Sequence, residues 1–460
     1  MGKSGVNMKL KDKNILILGL GISGVSTVKA LDKLGARISI SDIKEENELK
    51  EYISQIDDIN VRLYLGTNNV PLDNIDLIIK SPGIPLTLDI IKKAEKKGIE
   101  VITDLELAYR ISPNSNFIAI TGTNGKTTTT TLTGEFFKES GFSTYVAGNI
   151  GVGILWDVVN SKEDSIFVIE TSSFQLESTT SFTPKISLIL NITPDHLNWH
   201  NTLDNYIEAK KKIFKNQGMT EYTILNYDDP LLRNMENEIK SNLIWFSVDN
   251  KLSKGVYVEE GYIVINDGNS TKKVLSRDKV KILGKHNLEN ALASVAIGWI
   301  MGLDIDMMKD VLKTFPGVEH RIEYIDTIDG IQFFNDSKGT NSDASIKAIE
   351  AVNFPIILIA GGMDKGTEFD DFILSFKDKV KALILLGETK KKIRNTAIKH
   401  GFNNIYMVED MKEAVKKCYQ IAEDGDNVLL SPACASWDMY SSFEERGNDF
   451  KQEVYSLREE

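Results

Sequence analysis

The stretch Ile120-Thr-Gly-Thr-Asn-Gly-Lys-Thr-Thr128 follows directly on the apolar run Phe117-Ile-Ala-Ile120. A buried strand that runs into a glycine loop and then into Lys-Thr at the start of a helix is the arrangement that wraps a nucleoside triphosphate. The glycines let backbone amides close around the β-phosphate, Lys126 can reach the β and γ oxygens, and the Thr127 hydroxyl can ligate magnesium. The residues expected to hold ATP here are Gly122, Thr123, Asn124, Gly125, Lys126, Thr127 and Thr128. The position five before Gly125 is Ile120 rather than glycine, so the loop is a short Gly-x-x-Gly-Lys-Thr form. That spacing points away from GTPases and motor ATPases.

The chain has 460 residues, room for about three domains at about 150 residues each. Its formal charge is 54 minus 66, or −12, with 42% hydrophobic and 26% charged residues. Such a composition belongs to a soluble globular protein and lacks the basic excess of a general nucleic-acid binder, so an anionic ligand must be held by local groups. Cys418 and Cys434 are too few for a disulfide framework and read as reduced thiols. The start, Met-Gly-Lys-Ser-Gly-Val-Asn-Met, has no apolar leader, and no segment approaches the roughly 18 apolar residues of a membrane span. The expectation is a cytoplasmic protein without membrane or nucleic-acid partners.

Short apolar runs alternate with amphipathic stretches in three blocks, 1–103, 104–317 and 318–460, each an α/β unit wound around a parallel sheet. The first opens with a strand Asn14 to Leu18, then Gly19-Leu-Gly21-Ile22-Ser23-Gly24, a helix, and a second strand from Arg37 to Ser41 ending at Asp42. That is a Rossmann-like beginning, and Asp42 stands where a dinucleotide-binding protein holds a ribose. The middle block is a P-loop ATPase-like domain with a mixed, mainly parallel sheet, including strands at 165–169 and 186–190 and a hairpin region from Gly255 to Ile265. The third block, Rossmann-like again, follows Phe315-Pro-Gly317.

Ligands of α/β sheets collect at the carboxyl ends of strands. Glu170 follows one middle strand and Asp195-His196 lies just beyond the next. A carboxylate and an imidazole beside a phosphate loop can share metal ions, the carboxylate suiting Mg²⁺. Downstream, Tyr206-Ile-Glu-Ala-Lys210-Lys-Lys-Ile-Phe214 reads by itself as an amphipathic helix with a basic face.

Thr121 to Thr127, Gly148-Asn149-Ile-Gly151, Glu170 to Leu176, Asp195-His196, Ala209-Lys210, Gly284-Lys-His-Asn287, His320-Arg321, Asp336-Ser-Lys338 and Ser431-Pro-Ala-Cys-Ala-Ser436 succeed one another in this order. In that order they resemble the motifs of the Mur ligases of peptidoglycan synthesis, along essentially the whole chain. The resemblance implies a monomeric, cytoplasmic, ATP-dependent ligase that forms an amide bond through an acyl phosphate with two Mg²⁺ ions. Ser81-Pro-Gly-Ile84, Asn335 to Asn341, and Ser431 to Asp438 with Phe443-Glu-Glu-Arg-Gly-Asn448 favour the members that add D-glutamate to UDP-N-acetylmuramoyl-L-alanine. The alternative within the superfamily is another Mur or folylpolyglutamate-type ligase. Trp437 and Gly339 stand where Leu and Ala are expected.

Residue by residue, the resemblance makes Lys126, Glu170, His196 and Lys210 catalytic and gives the metal ions to Thr127, Glu170, His196 and Lys210 carboxylated to a carbamate. Asn287, Asn290, Arg321 and Asp336 join the ATP site. The glycine loop of the first block then holds the UDP sugar rather than a dinucleotide, with Gly21, Ile22, Ser23, Asp42, Ile43, Gly83 and Asn149 in contact. Lys338, Thr340, Lys365, Ser436 and Phe443 are the expected D-glutamate contacts, a lysine and hydroxyls suiting its two carboxylates.

Overall fold

The computed structural model of the chain describes residues 8–112, 115–148, 153–162, 164–364 and 366–458. Asn149 and Lys365, two of the expected contact residues, lie outside them. The described residues form three sheets. The first is parallel throughout, β3-β2-β1-β4-β5, from β1 (Asn14–Leu18), β2 (Arg37–Asp42), β3 (Val61–Leu65), β4 (Leu77–Lys80) and β5 (Glu100–Ile102). Its central strands are uninterrupted apolar runs with both faces covered, the signature of a sheet flanked by helices on either side.

The second sheet runs β14-β13-β12-β11-β10-β9-β6-β8-β7. Its parallel part comprises β6 (Asn116–Thr121), β7 (Thr144–Gly148), β8 (Ile166–Glu170), β9 (Ile186–Ile189), β10 (Tyr222–Asn226) and β11 (Asn242–Ser247), and β12 (Gly255–Glu259) also joins β11 in parallel. Then β13 (Tyr262–Asn266) and β14 (Thr271–Ser276) turn antiparallel, which is the expected hairpin region extended by one strand. The third sheet, β15-β16-β20-β17-β18-β19, consists of β15 (Glu323–Ile328), β16 (Ile331–Asn335), β17 (Ile356–Ala360), β18 (Val380–Leu385), β19 (Ile405–Met407) and β20 (Asn427–Leu430), with only the edge pair β15–β16 antiparallel. Among the described residues no helix is long and apolar enough to cross a membrane.

By compactness these residues form two units. One holds the first two sheets, up to Lys279 and again from Glu289 to Leu312; the other holds Val280–Leu288 and the residues from Lys313 onward. In the first unit a single apolar core reaches from Ile17 and Val28 under the first sheet through Leu107 to Phe117, Ile154 and Phe167 under the second.

One carboxylate ties the two sheets of that unit together. Glu106, on the helix Asp104–Ile111, is completely buried and accepts from the amides of Thr180 (3.1 Å), Ser181 (2.8 Å) and Phe182 (3.0 Å), the hydroxyls of Thr180 and Ser181, and Arg110 Nε at 2.8 Å. Burial alone would raise its pKa, but the bonds from Ser181, Arg110 and Thr180 together outweigh it and hold the carboxyl below the usual range. Replacing Glu106 by Ala leaves the buried Phe182 amide and the amides of Thr180 and Ser181 without this acceptor and takes one carboxylate from Arg110, which keeps Glu100; this should lower unfolding stability by about 2 kcal/mol in a denaturant titration. Because its folded pKa is depressed, Glu106 stabilises above its ordinary pKa of 4.5 and loses that contribution as the pH falls through the folded value. The advantage of the native chain over Glu106→Gln should therefore shrink on acidification; a gap that is independent of pH would show that ionisation is irrelevant to the tie.

Candidate active site

In the second sheet β6 lies between β8 and β9, so the loop leaving β6 emerges where the chain order reverses, at a crevice of the kind in which α/β sheets bind ligands. Neighbouring strand ends fix the loop. Thr121 Oγ1 donates to Thr171 O at 2.7 Å, the Thr123 amide to Asn191 O at 3.0 Å, and the Asn124 amide to Asn191 Oδ1 at 2.8 Å. Gly125 caps the helix Lys126–Glu139 at φ 82°, a left-handed conformation, and a side chain there would strike Asn290, whose Oδ1 would lie 2.3 Å from an added Cβ. Thr129 Oγ1 sits 3.0 Å from Gly125 O and 3.2 Å from Asn290 Oδ1, so Asn290, itself buried, props the loop from below. Thr127 and Thr128 are buried in the first turn of the helix.

Two lysines converge on one atom of this loop. Lys126 Nζ donates to Gly122 O at 2.9 Å and to Thr123 O at 2.8 Å, while Lys210 Nζ donates to the same Gly122 O at 2.9 Å and lies 3.2 Å from Thr121 Oγ1. Lys210 is 1% exposed, the reverse of the solvent-facing basic stripe that its local sequence suggests. Burial first, and the Lys126 ammonium second, push its pKa well below the ordinary value, against an opposing pull from Asp195 and Glu170. The Tyr206 ring, 4.7 Å from Lys210 Nζ, closes the other side, and burial raises its phenol to about 12.

Glu170 is the last residue of β8, one place later than the strand expected from sequence, and is buried. His196 starts the helix Leu197–His200 at φ 52° and remains about half exposed, with Nε2 3.5 Å from Asp195 Oδ2 and its ring 4.9 Å from Phe174. The Tyr206 ring that covers Lys210 is 6.5 Å from the His196 ring. Among the described residues no three His, Cys, Asp or Glu side chains form a ready-made metal cage. A hydroxyl from Thr127 and a carboxylate from Glu170 nevertheless fit Mg²⁺, which is usually held by one or two carboxylates with substrate phosphates and water.

The first sheet repeats the design with a different loop. Here β1 lies between β2 and β4, and the loop after β1 is held by Gly19 N to Ser41 O (2.8 Å), Leu20 N to Asp42 Oδ2 (2.8 Å) and Ser81 N to Leu18 O (2.8 Å). Gly21 caps the helix Ile22–Lys33, which includes Ser23, leaving the first helical amides directed at the crevice. Ile22 and Ile43 are 62% and 71% exposed at the loop mouth, and Gly83 is exposed on the turn after β4. Asp42 is thus at least in part a brace for the loop.

In the second unit, the ends of β16 and β20 carry Asp336 and Ser431. Asp336 is buried, accepting from Ser431 Oγ at 2.7 Å and from the Ile322 amide at 3.3 Å; burial lifts its pKa to about 7 despite those bonds and the nearby Arg321. Gly339 packs so closely on this carboxylate that an added Cβ would lie 2.5 Å from Asp336 Oδ2, which accounts for glycine where alanine was expected. Asn287 is buried with Nδ2 donating to Leu283 O at 2.7 Å. Lys338 Nζ sits 5.6 Å from the centroid of the Phe443 ring, Thr340 donates its amide to Lys338 O, and Ser436 is buried. Trp437 is 64% exposed.

Sequence reasoning omits the braces: Thr121, Asn191, Tyr206 and, beside them, His200. His200 is buried, its Nε2 is 3.0 Å from Ser173 Oγ, and its ring stacks on Phe174 at 5.7 Å. Their signal in the sequence is only position: Thr121 and Asn191 lie at strand ends and Tyr206 one helical turn before Lys210, while His200 is near neither.

Comparison with known proteins agrees with this architecture. Family models match residues 13–103 (Mur ligase MurD-like, N-terminal domain), 120–298 (Mur ligase middle domain) and 320–434 (Mur ligase, glutamate ligase domain). The chain is 50% identical over 452 residues to the UDP-N-acetylmuramoylalanine–D-glutamate ligase of Clostridioides difficile, covering 98% of this chain and 100% of that one. It is 50% identical over 454 residues to the enzyme of the same name from a Thermoanaerobacter species, with the same coverage. Among solved structures, the UDP-N-acetylmuramate-alanine ligase of Thermotoga maritima matches 97% of this chain and 99% of its own at a TM-score of 0.61 and 20% identity. The MurF ligase of that organism, in complex with ADP, matches 97% and 99% at 0.58 and 16%. At such identities the structures speak for the fold alone, but the near relatives span the full length. The chain belongs to the Mur ligase family and has its three-domain, mainly parallel α/β fold.

Proposed function

We propose that this chain is an ATP-dependent ligase that joins D-glutamate to UDP-N-acetylmuramoyl-L-alanine, as a monomer in the cytoplasm, during peptidoglycan precursor synthesis. The observation that carries the chemistry is the convergence of buried Lys210 and half-buried Lys126 on the carbonyl of Gly122 beside the Glu170 strand end. Full-length relatives at about half identity, each a D-glutamate ligase by name, support the substrate. A phosphate-release assay with UDP-N-acetylmuramoyl-L-alanine and ATP tests it: D-glutamate should drive turnover, and L-glutamate, L-alanine and a diamino acid should not. Preference for a diamino acid would transfer the chain to another branch of the family.

On this reading the terminal carboxylate oxygen of the L-alanyl group attacks the γ-phosphorus, and the bond to the ADP oxygen breaks. The D-glutamate amine then attacks the acyl carbon, loses its proton, and the tetrahedral adduct expels phosphate. Several negative charges crowd together in the first step, so positioning and electrostatic neutralisation dominate the acceleration. Lys126 supplies a cation to the β and γ oxygens, exchanging its loop carbonyls for phosphate. The amides of Gly122 to Thr128 wrap the chain of phosphates, with Asn287, Asn290, Arg321 and Asp336 completing the ATP site. Mg²⁺, two ions on this reading, would be held by Thr127, Glu170, His196 and carboxylated Lys210, and neutralises phosphoryl charge when bound. Lys338, Thr340, Lys365, Ser436 and Phe443 receive the amino acid, and Gly21, Ile22, Ser23, Asp42, Ile43, Gly83 and Asn149 the UDP sugar.

The surroundings of Lys210 support its carboxylation. The Nζ lone pair attacks the carbon of CO₂, an N–C bond forms, and one proton leaves for solvent. That step needs the neutral amine, which burial and the Lys126 charge both favour. The product is an anion where two cations otherwise compete.

Lys126→Ala should leave the fold intact and cost about 10² to 10³ in kcat, the usual scale for one preorganised electrostatic contact. A folded variant with native turnover would remove the loop from the mechanism. Lys210→Ala should be nearly inactive and partly rescued by formate or acetate, and ¹³C-bicarbonate should give a carbamate resonance in the native enzyme that this variant lacks. Absence of that resonance from a fully active native enzyme would refute carboxylation.

A further inference from the structure

The third unit of sequence singled out above, Phe443-Glu-Glu-Arg-Gly-Asn448, contains a charge that the proposed mechanism does not use. Arg446 is 2% exposed on the helix Phe443–Ser456. Its hydrogen bonds go to neutral oxygens: Nε to Ser337 Oγ at 3.0 Å, one terminal nitrogen to Ser337 O at 2.8 Å, and the other to Cys434 O at 3.1 Å. Burial lowers the guanidinium to about 10, with Cys434, Asp438, Tyr440 and Asp336 opposing. A buried cation satisfied only by neutral acceptors is costly, and an apolar side chain of similar volume would avoid that cost. What guanidinium offers instead is a planar fork of donors in fixed geometry.

The fork joins three segments. Ser337 and Lys338 follow β16, Cys434 and Ser436 follow β20, and Phe443 starts the helix that carries Arg446 itself. Ser337 Oγ also donates to Phe443 O at 2.8 Å, Asn335 Nδ2 donates to Gly447 O at 3.2 Å and lies 2.9 Å from His320 Nδ1, and the Lys338 amide donates to His320 O at 3.0 Å. Lys338, Ser436 and Phe443 therefore hang from one knot with Arg446 at its centre, and a change in the length of that side chain alters the spacing among all three.

We infer that Arg446 is the positioning residue of the amino-acid acceptor site, setting the distances among Lys338, Ser436 and Phe443 without touching the acceptor. The inference rests on the reading that those three residues receive D-glutamate. Asp336, by contrast, takes its side-chain hydrogen bonds from Ser431 and Ile322 and feels Arg446 through charge rather than through a bond. The acceptor KM should thus respond far more than the ATP KM.

The test is steady-state kinetics on the full-length enzyme with Arg446→Lys, Arg446→Met and Ser337→Ala, alongside thermal melting. Arg446→Met should raise the KM for D-glutamate by about tenfold or more, the scale of one or two lost hydrogen bonds, while the KM for ATP and for the UDP sugar stays within about twofold. Arg446→Lys and Ser337→Ala should move the same constant by less. A role in stability alone would lower the melting temperature and the active fraction, hence kcat, and leave the acceptor KM where it was; that result overturns the inference. If Arg446→Met does not fold, an unchanged D-glutamate KM in both milder variants overturns it equally. A native enzyme that releases no phosphate with D-glutamate would instead refute the acceptor assignment, and the inference with it.

Discussion

Two ammonium groups donating to a single buried carbonyl oxygen repel one another, and the loop around Gly122 is shaped by that conflict. Each lysine bonds the carbonyl at 2.9 Å, and the Lys126 charge adds to burial in lowering the tolerance of Lys210 for its own. Relief requires an anion between them, or the loss of a proton from the more deeply buried one. The loop can withstand the repulsion because it is fastened from outside, by Asn191 and Thr171 at the strand ends and by Asn290 and Thr129 underneath. The backbone of the loop is accordingly held in place independently of the two lysines, whose side chains are the part free to change partners.

The same logic, a polar group fixed by backbone donors, recurs at Glu106 and at Arg446 with opposite signs. Glu106 collects amides and hydroxyls from residues 180–182 and binds the first sheet's last helix to the second sheet. Arg446 gives its protons to a hydroxyl and two carbonyls and binds three loops. Glu106 adds one charged partner, Arg110, to its amides and hydroxyls, whereas the hydrogen-bond partners of Arg446 are all uncharged; in both cases the bonds fix direction and spacing. The first unit then behaves as one body around a continuous core, with a glycine loop at the reversal point of each sheet.

The strand, glycine loop and helix around Gly122 to Thr128 were legible, since an apolar run followed by two glycines and Lys-Thr leaves few alternatives. The parallel strands with unbroken apolar runs, such as Asn14–Leu18 and Ile356–Ala360, were legible to within a residue. Strands with partly exposed or polar patterns were not: Val61–Leu65 is half exposed, and Ile405–Met407 is three residues at an edge. Lys210 shows where local pattern fails. Lys210, Lys211 and Lys212 read as one basic face, but successive residues of a helix point about 100° apart. Lys210 turns inward to Gly122, Lys211 pairs with Glu208 and Glu238, and Lys212 bonds the Glu177 carbonyl. Arg446 could be noticed in its motif but not understood there, because Ser337 is 109 residues away.

Both thiols of the chain are withdrawn from solvent. Cys418 lies wholly inside the core of the third sheet, and Cys434 rests 3.3 Å from Thr389 Oγ1, where burial raises it to about 11. Neither has the thiolate character that alkylating reagents attack near neutral pH. A cysteine introduced on the surface would consequently be the one reactive handle on an otherwise native chain, so a dye or spin label could be placed at a chosen position without first removing a natural residue.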